Sequence, residues 1–149
     1  MSDLTRFVDA QARVMETVLA ELRAGRKATH WMWYVFPQIA GLGTSALAER
    51  FALEDLDEAR AFLAHPVLGA RLLECTRAVL GHAGTPLRTI LGTPDDLKFR
   101  SCMTLFAAAD PSERLFRDAL DTFCSGEPDP RTLEELGSEA LPGAARAPG

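Results

Sequence analysis

Hydrophobic residues recur every three or four positions along most of this chain, a spacing typical of amphipathic helices. The first such stretch runs to about Ala24; Ser2 or Asp3 can cap its start, and Gly25 suits the position just past its end. The expected buried stripe consists of Leu4, Phe7, Val8, Gln11, Met15, Val18 and Leu22. The pattern therefore predicts one long first helix with one buried face.

Capping residues and prolines divide the rest of the chain into shorter helices. The segment 29–36 is apolar on all sides, which indicates burial, and Pro37 ends any helix there. Asp55 lies three residues before Glu58, which is capping-box spacing, and the same spacing recurs at Asp110. The further predicted helices cover about residues 45–51, 55–64, 66–81, 86–91, 93–109, 110–123 and 129–136.

No stretch alternates hydrophobic and polar residues as a strand does, and no internal repeat is visible. A length of 149 residues is typical of one domain with one core. We therefore predict an all-α, compact single globular domain of about seven short helices at residues 1–136, with no β-sheet. Residues 137–149 are rich in Pro, Gly and other small residues, and we expect them to form a disordered tail.

Composition narrows the classes of function. The net charge of −5 and the pI near 5.2 argue against broad nucleic-acid binding, because that needs a basic surface. No apolar run is long enough to span a membrane, and the first residues lack the pattern of a signal peptide.

The three cysteines, an odd number, are expected to be reduced, buried thiols of a cytoplasmic protein. No cysteine pair has metal-ligand spacing and the histidines are scattered, so we expect neither a metal nor a cofactor.

Residues 25–43 hold both tryptophans and the only tyrosine of the protein, beside two cations. Large aromatic side chains next to cations can form a core, or they can form a pocket for a flat, anionic ligand. Trp31 and Trp33 project to different faces, so we expect one to pack in the core and the other to stack on a ligand. The candidate ligand-binding residues of this segment are Arg26, Lys27, His30, Trp33, Tyr34 and Gln38.

Structural alternatives stay open for the same residues. Arg26 and Lys27 follow a predicted helix end, where the macrodipole stabilises cations; in a site they would instead capture a phosphate or a carboxylate. His30 is either a satisfied helix residue or part of the site. Gly41 and Gly43 could help to cradle a phosphate, but they lack the full glycine fingerprint and follow no predicted strand, which argues against a dinucleotide fold.

The second informative segment, residues 91–106, places acids and cations on one predicted helix. Asp95 and Lys98 are three positions apart, and Asp96 and Arg100 are four apart, so each pair shares a helix face. These pairs either stabilise the helix as ion pairs or form the wall of a site, in which a lysine can attack a carbonyl and an aspartate can act as acid or base. The candidate catalytic residues are Lys98, Asp96 and Asp95, and Arg100 and Ser101 are further ligand-binding candidates.

The segments 6–11, 25–43, 65–72 and 94–106 resemble the DUF1810 family, a family of unknown function. The resemblance covers about residues 4–136 and implies a mainly α-helical fold, which agrees with the hydrophobic pattern. The family usually shows two serines before the Met-Thr-Leu-Phe run, where this chain has Ser101 and Cys102. That difference argues against an essential hydroxyl at position 102. Some bacterial members carry the name calpastatin, an inhibitor role for which a compact folded domain gives no basis.

Shorter stretches, at residues 7–11 and 62–76, are similar to the NADAR group of ADP-ribose glycosidases. This similarity implies an N-glycosidic substrate that contains ADP-ribose, with a lysine and an acidic residue in the site. Lys27 and Lys98 are the only lysines of the chain, so one of them would be that lysine.

Two functional hypotheses follow from the sequence. In the first, a small cytoplasmic protein binds and hydrolyses a nucleotide-like, ADP-ribosyl ligand: an aromatic residue of 25–43 stacks on the base, the cations hold phosphates, and Lys98 reacts together with one of the two aspartates. In the second, the chain is a non-enzymatic helical interaction domain or small-molecule binder, and its protein partner is unknown. In the interaction domain, both segments would build the core.

Overall fold

The computed structural model describes residues 3–137, and ten helices account for most of them. In chain order they are α1 (Thr5–Ala12), α2 (Met15–Ala24), α3 (Met32–Val35), α4 (Ala46–Arg50), α5 (Leu56–Ala64), α6 (Leu68–Leu80), α7 (Leu87–Leu91), α8 (Asp95–Ala109), α9 (Arg114–Phe123) and α10 (Pro130–Leu136). None of these ten helices is long and apolar enough to cross a membrane. The expected disordered tail falls almost wholly outside the described residues, as does Ser2.

The all-α prediction is confirmed for residues 3–137. This part of the chain contains no β-strand, and one isolated parallel bridge joins Ile39 to Leu53. The predicted number of helices was too low, because about seven were expected and ten are present. Several of the ten are single turns of four or five residues, which hydrophobic periodicity resolves poorly.

The predicted first helix is in fact two helices. α1 ends at Ala12 and α2 begins at Met15, although no glycine or proline marks the break. Gln11, buried near the end of α1, donates a side-chain hydrogen bond of 2.6 Å to the carbonyl of Tyr34 and accepts one of 3.3 Å from Arg71. These contacts join α1 to α3 and α6, and a local helical pattern does not reveal them.

The start of α9 also differs from its prediction. Asp110 does not cap this helix, because its carboxylate accepts a hydrogen bond of 3.1 Å from the amide of Ser112 in the preceding turn. Glu113 is the cap instead and accepts a hydrogen bond of 3.2 Å from the amide of Leu115. The helix therefore begins at Arg114, later than the capping-box spacing indicated.

Other predicted boundaries are confirmed or nearly so. Asp55 caps α5 by accepting a hydrogen bond of 2.9 Å from the amide of Glu58. Gly25 ends α2 with a φ of 75°, a left-handed conformation that favours glycine. α8 starts slightly later than expected, since Pro94 and not Thr93 occupies its capping position.

The central helix of the fold is α8, which packs against α5, α7, α9 and α10. Residues 101–106 of this helix are all buried. A continuous series of aromatic contacts crosses the interior from Phe7 to Phe62, Phe106 and Phe116, with ring centroids 5.1, 5.5 and 5.6 Å apart. This packing fixes α8, whose first turns carry the second segment that the sequence singled out.

Candidate ligand-binding cleft

A cleft of about 480 Å³ opens beside the N-terminal turns of α8. Its walls come from three parts of the chain: residues 33–48, residues 94–101 and residues 129–131. The lining includes Trp33, Gln38, Lys98, Arg100, Ser101 and Asp129. The volume lies in the range of roughly 300–1,000 Å³ that is usual for small-molecule sites.

Trp33 and Lys98, one from each of the two segments, meet in this cleft. The Nζ atom of Lys98 lies 4.9 Å from the centroid of the Trp33 ring. Trp33 is partly exposed, whereas Trp31 is buried in the core with 1% exposure. The prediction that one of the two tryptophans packs in the core is therefore confirmed, and the stacking of the other on a ligand stays a prediction. The cleft therefore presents an aromatic ring and a positive charge side by side.

Arg100 lines the cleft, but its hydrogen bonds go to the loop that follows α9. Its Nε donates to the carbonyl of Glu127 at 2.9 Å, and its Nη2 donates to the carbonyl of Pro128 at 3.0 Å. These bonds hold the loop that leads to Asp129. Arg131, at the start of α10, also lines the cleft and is exposed.

Asp129 ties the cleft to α10. Its Oδ2 atom accepts hydrogen bonds from the hydroxyl of Ser101 at 3.1 Å, from the amide of Thr132 at 3.0 Å and from the hydroxyl of Thr132 at 2.6 Å. The sequence predicted that the last short helix starts at about Asp129, which is confirmed, but it did not identify Asp129 as a residue of the site. Its second role depends on the packing of α10 against α8, for which the sequence carries no local signal.

Lys27, Asp95 and Lys98 form one cluster of charges. The Nζ atom of Lys27 lies 2.8 Å from Oδ2 of Asp95 and 4.9 Å from the Trp31 ring centroid, and it also donates to the carbonyl of Thr29. The other carboxylate oxygen of Asp95 lies 3.6 Å from Nζ of Lys98. The Lys27 side chain is only 5% exposed, against 25% for Lys98, and of these three residues only Lys98 lines the cleft.

Three other candidates of the first segment lie away from the cleft. Arg26 and His30 are exposed in the connection between α2 and α3, which contributes nothing to the lining. Tyr34 packs against Phe51 with ring centroids 5.2 Å apart, and burial raises the pKa of its phenol. The structure therefore separates Tyr34 from Trp33 although the two are adjacent in sequence.

Asp96 lines a second cleft, of about 420 Å³, which shares Leu97 and Arg100 with the first. Its carboxylate accepts a hydrogen bond of 2.9 Å from the amide of Leu97. The structure thus brings Lys98 together with Asp95 and not with Asp96.

Glu21 fixes the connection between α2 and α3. Its carboxylate accepts hydrogen bonds from the amide of Ala28 at 2.8 Å, from the amide and hydroxyl of Thr29, and from the indole nitrogen of Trp31 at 2.9 Å. Partial burial acts to raise the pKa of Glu21, but these hydrogen bonds outweigh burial and lower the pKa to about 2. A charged carboxylate therefore anchors the connection that carries Lys27.

A further lobe of about 330 Å³ adjoins the first cleft, and Trp33 and Gln38 line both. Glu49 and Glu54 contribute to this further lobe, whereas the cations Lys98, Arg100 and Arg131 belong to the first. Trp33 therefore lies between a lobe lined by two acids and a cleft lined by three cations and the acid Asp129.

The cysteines show no catalytic environment. Cys75 and Cys102 are buried and Cys124 is partly buried, all as free thiols. Burial raises the pKa of Cys75 to about 12 and that of Cys102 well above its usual value, so little thiolate forms at neutral pH. Among residues 3–137, no group of three or more His, Cys, Asp or Glu side chains is arranged to hold a metal ion.

Comparisons with known proteins place the chain in a family. No curated protein matches it. The fold is similar to the crystal structure of the conserved hypothetical protein Rv1873 from Mycobacterium tuberculosis, with 51% sequence identity, a TM-score of 0.88, and coverage of 90% of this chain and 96% of that chain. The model of a family described as a protein of unknown function, DUF1810, matches residues 1–136. The chain therefore belongs to the DUF1810 family.

Proposed function

We propose that this protein binds a nucleotide-like anion of the ADP-ribosyl type in the cleft between α3, α8 and α10. The observation that carries the proposal is the pairing of the Lys98 ammonium with the partly exposed Trp33 ring, 4.9 Å apart. A nucleotide combines a flat base with phosphates, and these two parts suit an aromatic ring and a cation respectively.

A phosphate would compete with the Trp33 ring for Lys98. A hydrogen bond to a charged group contributes about 1.5–3 kcal/mol, whereas an exposed cation–π contact contributes about 0.5–1 kcal/mol. A bound phosphate would therefore draw the ammonium away from the ring and leave the indole face free to stack on the base. Arg131, exposed on the wall that residues 129–131 form, adds a second cation to the same cleft.

Hydrolysis of an N-glycosidic bond is the reaction that we propose for such a ligand; it stays a prediction from the short stretches 7–11 and 62–76 of the sequence. Water would attack the sugar carbon as the bond between that carbon and the nitrogen breaks, and the bonding electron pair would go to the leaving nitrogen. The hydroxyl of the water would go to the sugar carbon, and its proton would go to the leaving nitrogen or, where that nitrogen is a pyridinium as in NAD, to solvent. Lys98 would stabilise the negative charge of the phosphates, and Asp129, the acid that lines the cleft, would orient the water. This arrangement replaces Asp96, which lines the second cleft.

A thermal-shift panel tests the binding. Purified wild type, Lys98→Ala and the control Arg117→Ala, which changes an exposed residue of α9, are melted with ADP-ribose, NAD, mononucleotides and phosphosugars. A ligand present at about one hundred times its Kd adds roughly 2.7 kcal/mol to the free energy of unfolding. We expect ADP-ribose to raise the Tm of wild type and control but not that of Lys98→Ala. The absence of any shift across the panel would refute the proposal.

Chromatography then separates catalysis from binding. Wild type is incubated with NAD, an available N-glycoside of ADP-ribose, and released nicotinamide is quantified. If wild type releases nicotinamide and Asp129→Asn releases it more slowly, the result supports hydrolysis. If the protein binds ADP-ribose but releases no nicotinamide from NAD, it is a binding protein that does not hydrolyse this N-glycosidic bond.

The alternative function is a non-enzymatic interaction domain, and one observation favours it: Trp33 also packs against the hydrophobic core. Under this alternative, substitution of Trp33 or Lys98 lowers stability and there is no ligand to lose. The thermal-shift panel separates the two functions, because only the first predicts a ligand-dependent difference between wild type and Lys98→Ala.

A further inference from the structure

We infer that Lys27, which does not line the cleft, sets the affinity of the cleft for anions. Lys27 compensates the negative charge of Asp95, so the positive charge of Lys98 is left uncompensated and available to an anion. The inference rests on the proposed function, because it concerns the same cleft. It assigns Lys27 a positioning and charge-setting role and does not require contact with the ligand.

The geometry gives Asp95 two partners of unequal closeness. Lys27 approaches one carboxylate oxygen to 2.8 Å, and Lys98 approaches the other only to 3.6 Å. The Lys27 side chain is 5% exposed and is held by the Trp31 ring and the carbonyl of Thr29. Lys27 is therefore held in the interior, outside the lining of the cleft.

The charges of the cluster explain why this matters. Two ammonium groups and one carboxylate leave a net charge of about +1, and Lys98 is the member through which that charge reaches the cleft. Without Lys27, Asp95 would pair with Lys98 alone and the net charge of the cluster would be about zero. Lys98 would then be drawn toward Asp95, away from the position where it meets Trp33.

Asp95 has a further source of stabilisation besides the two lysines. It is the first residue of α8, a helix of 15 residues, and the macrodipole stabilises a carboxylate at this end. Loss of Lys27 therefore does not remove the negative charge beside Lys98. It removes only the charge that compensates it.

The test measures anion affinity in Lys27→Met, which keeps the buried apolar stem and removes the charge. Isothermal titration at low ionic strength gives the Kd of ADP-ribose and of inorganic pyrophosphate. We expect both to bind roughly three- to tenfold more weakly than to wild type, with a smaller deficit at high salt. Arg77→Met, which removes one positive charge at an exposed position of α6, is the matched control and should change either Kd less than about twofold.

A second substitution separates charge setting from a structural role. Lys27→Met/Asp95→Asn again leaves Lys98 with an uncompensated charge, so we expect the Kd of pyrophosphate to return to within about twofold of wild type. A purely structural role of Lys27 predicts no rescue. If Lys27→Met does not fold, Asp95→Asn provides the test. Loss of the negative charge should tighten pyrophosphate binding, whereas a purely structural role of the ion pair between Lys27 and Asp95 predicts weaker binding.

The outcomes distinguish this inference from the proposed function. If wild type binds neither ADP-ribose nor pyrophosphate, the proposed function fails and the inference fails with it. If wild type binds and Lys98→Ala does not, but Lys27→Met binds as wild type does, the proposed function stands and the inference is wrong.

Discussion

The indole nitrogen of Trp31 donates a hydrogen bond of 2.9 Å to Glu21, ten positions earlier in the chain. Trp31 belongs to the buried core, and Glu21 also holds the amides of Ala28 and Thr29. The pair therefore joins the core to the connection between α2 and α3. Lys27 lies in that connection, so a carboxylate that takes no part in the cleft determines where one end of the lysine–aspartate cluster sits.

This contact makes stability depend on pH in a defined direction. The pKa of Glu21 is about 2 in the folded protein, against an ordinary value of 4.5. Its contribution is therefore fully present above the ordinary value and is lost as the pH falls toward the folded value. We expect the difference in free energy of unfolding between wild type and Glu21→Gln to be large near neutral pH and to shrink from about pH 4.5 to about pH 2. Urea unfolding across this range measures it; a difference that does not change with pH would contradict the assignment.

The two tryptophans should respond differently to truncation. Trp31→Ala removes a buried ring and is expected to lower the free energy of unfolding by about 3–5 kcal/mol. Trp33→Ala should cost less, since its ring is partly exposed, but should abolish the thermal shift with ADP-ribose. Trp33→Phe keeps an aromatic face and should retain part of that shift. Equal losses of stability for the two alanine variants would show that Trp33 is mainly a core residue.

Asp129 and Ser101 should be energetically coupled. Asp129→Ala removes the cap of α10 and is expected to cost about 0.5–2 kcal/mol. Ser101→Ala removes a hydroxyl that lies 3.1 Å from both the Asp129 carboxylate and the carbonyl of Leu97, and it should cost about 0.5–1.5 kcal/mol. Because the hydroxyl and the carboxylate are 3.1 Å apart, the double variant should lose less than the sum of the two. Chemical unfolding of the four proteins gives the coupling, and strict additivity would indicate that the hydrogen bond contributes nothing.

The thiols should react slowly and in a fixed order. Burial raises the pKa of all three cysteines, but Cys124 is only partly buried. We therefore expect a thiol reagent at mildly alkaline pH to modify Cys124 first, and to modify Cys75 and Cys102 only as the protein opens. Mass spectrometry over time gives the order. Early modification of Cys102 would mean that its burial is easily lost.

Much of the fold could be predicted from the sequence because it depends on local patterns. The predicted stripe of α1 and α2 is buried except at Val8, which is partly buried, and the cap at Asp55 functions as expected. The last helix also starts beside Asp129, as predicted. The break between α1 and α2 could not be predicted. It accompanies the contacts of Gln11 with Tyr34 and Arg71, which come from distant parts of the chain.

The residues of the candidate site were harder to predict than the helices, because the site depends on contacts between distant parts of the chain. Trp33 and Lys98 were selected because their segments are unusually rich in aromatic and charged residues, and the structure brings them together. Arg26 and Tyr34 lie in the same kind of segment, rich in aromatic and charged residues, but they do not line the cleft. Asp129 had none, since a helix cap looks the same in sequence whether or not it faces a cleft.

The cleft draws its three walls from stretches that are far apart in sequence. During translation, a nascent chain that ends before Asp129 already contains Trp33 and Lys98 but not the carboxylate that ties Ser101 to α10. The capacity to recognise a ligand would therefore arise late in synthesis, after α10 docks on α8. We therefore expect a fragment that lacks α10 to lose binding of the proposed ligand, even if it keeps most of its helical circular dichroism.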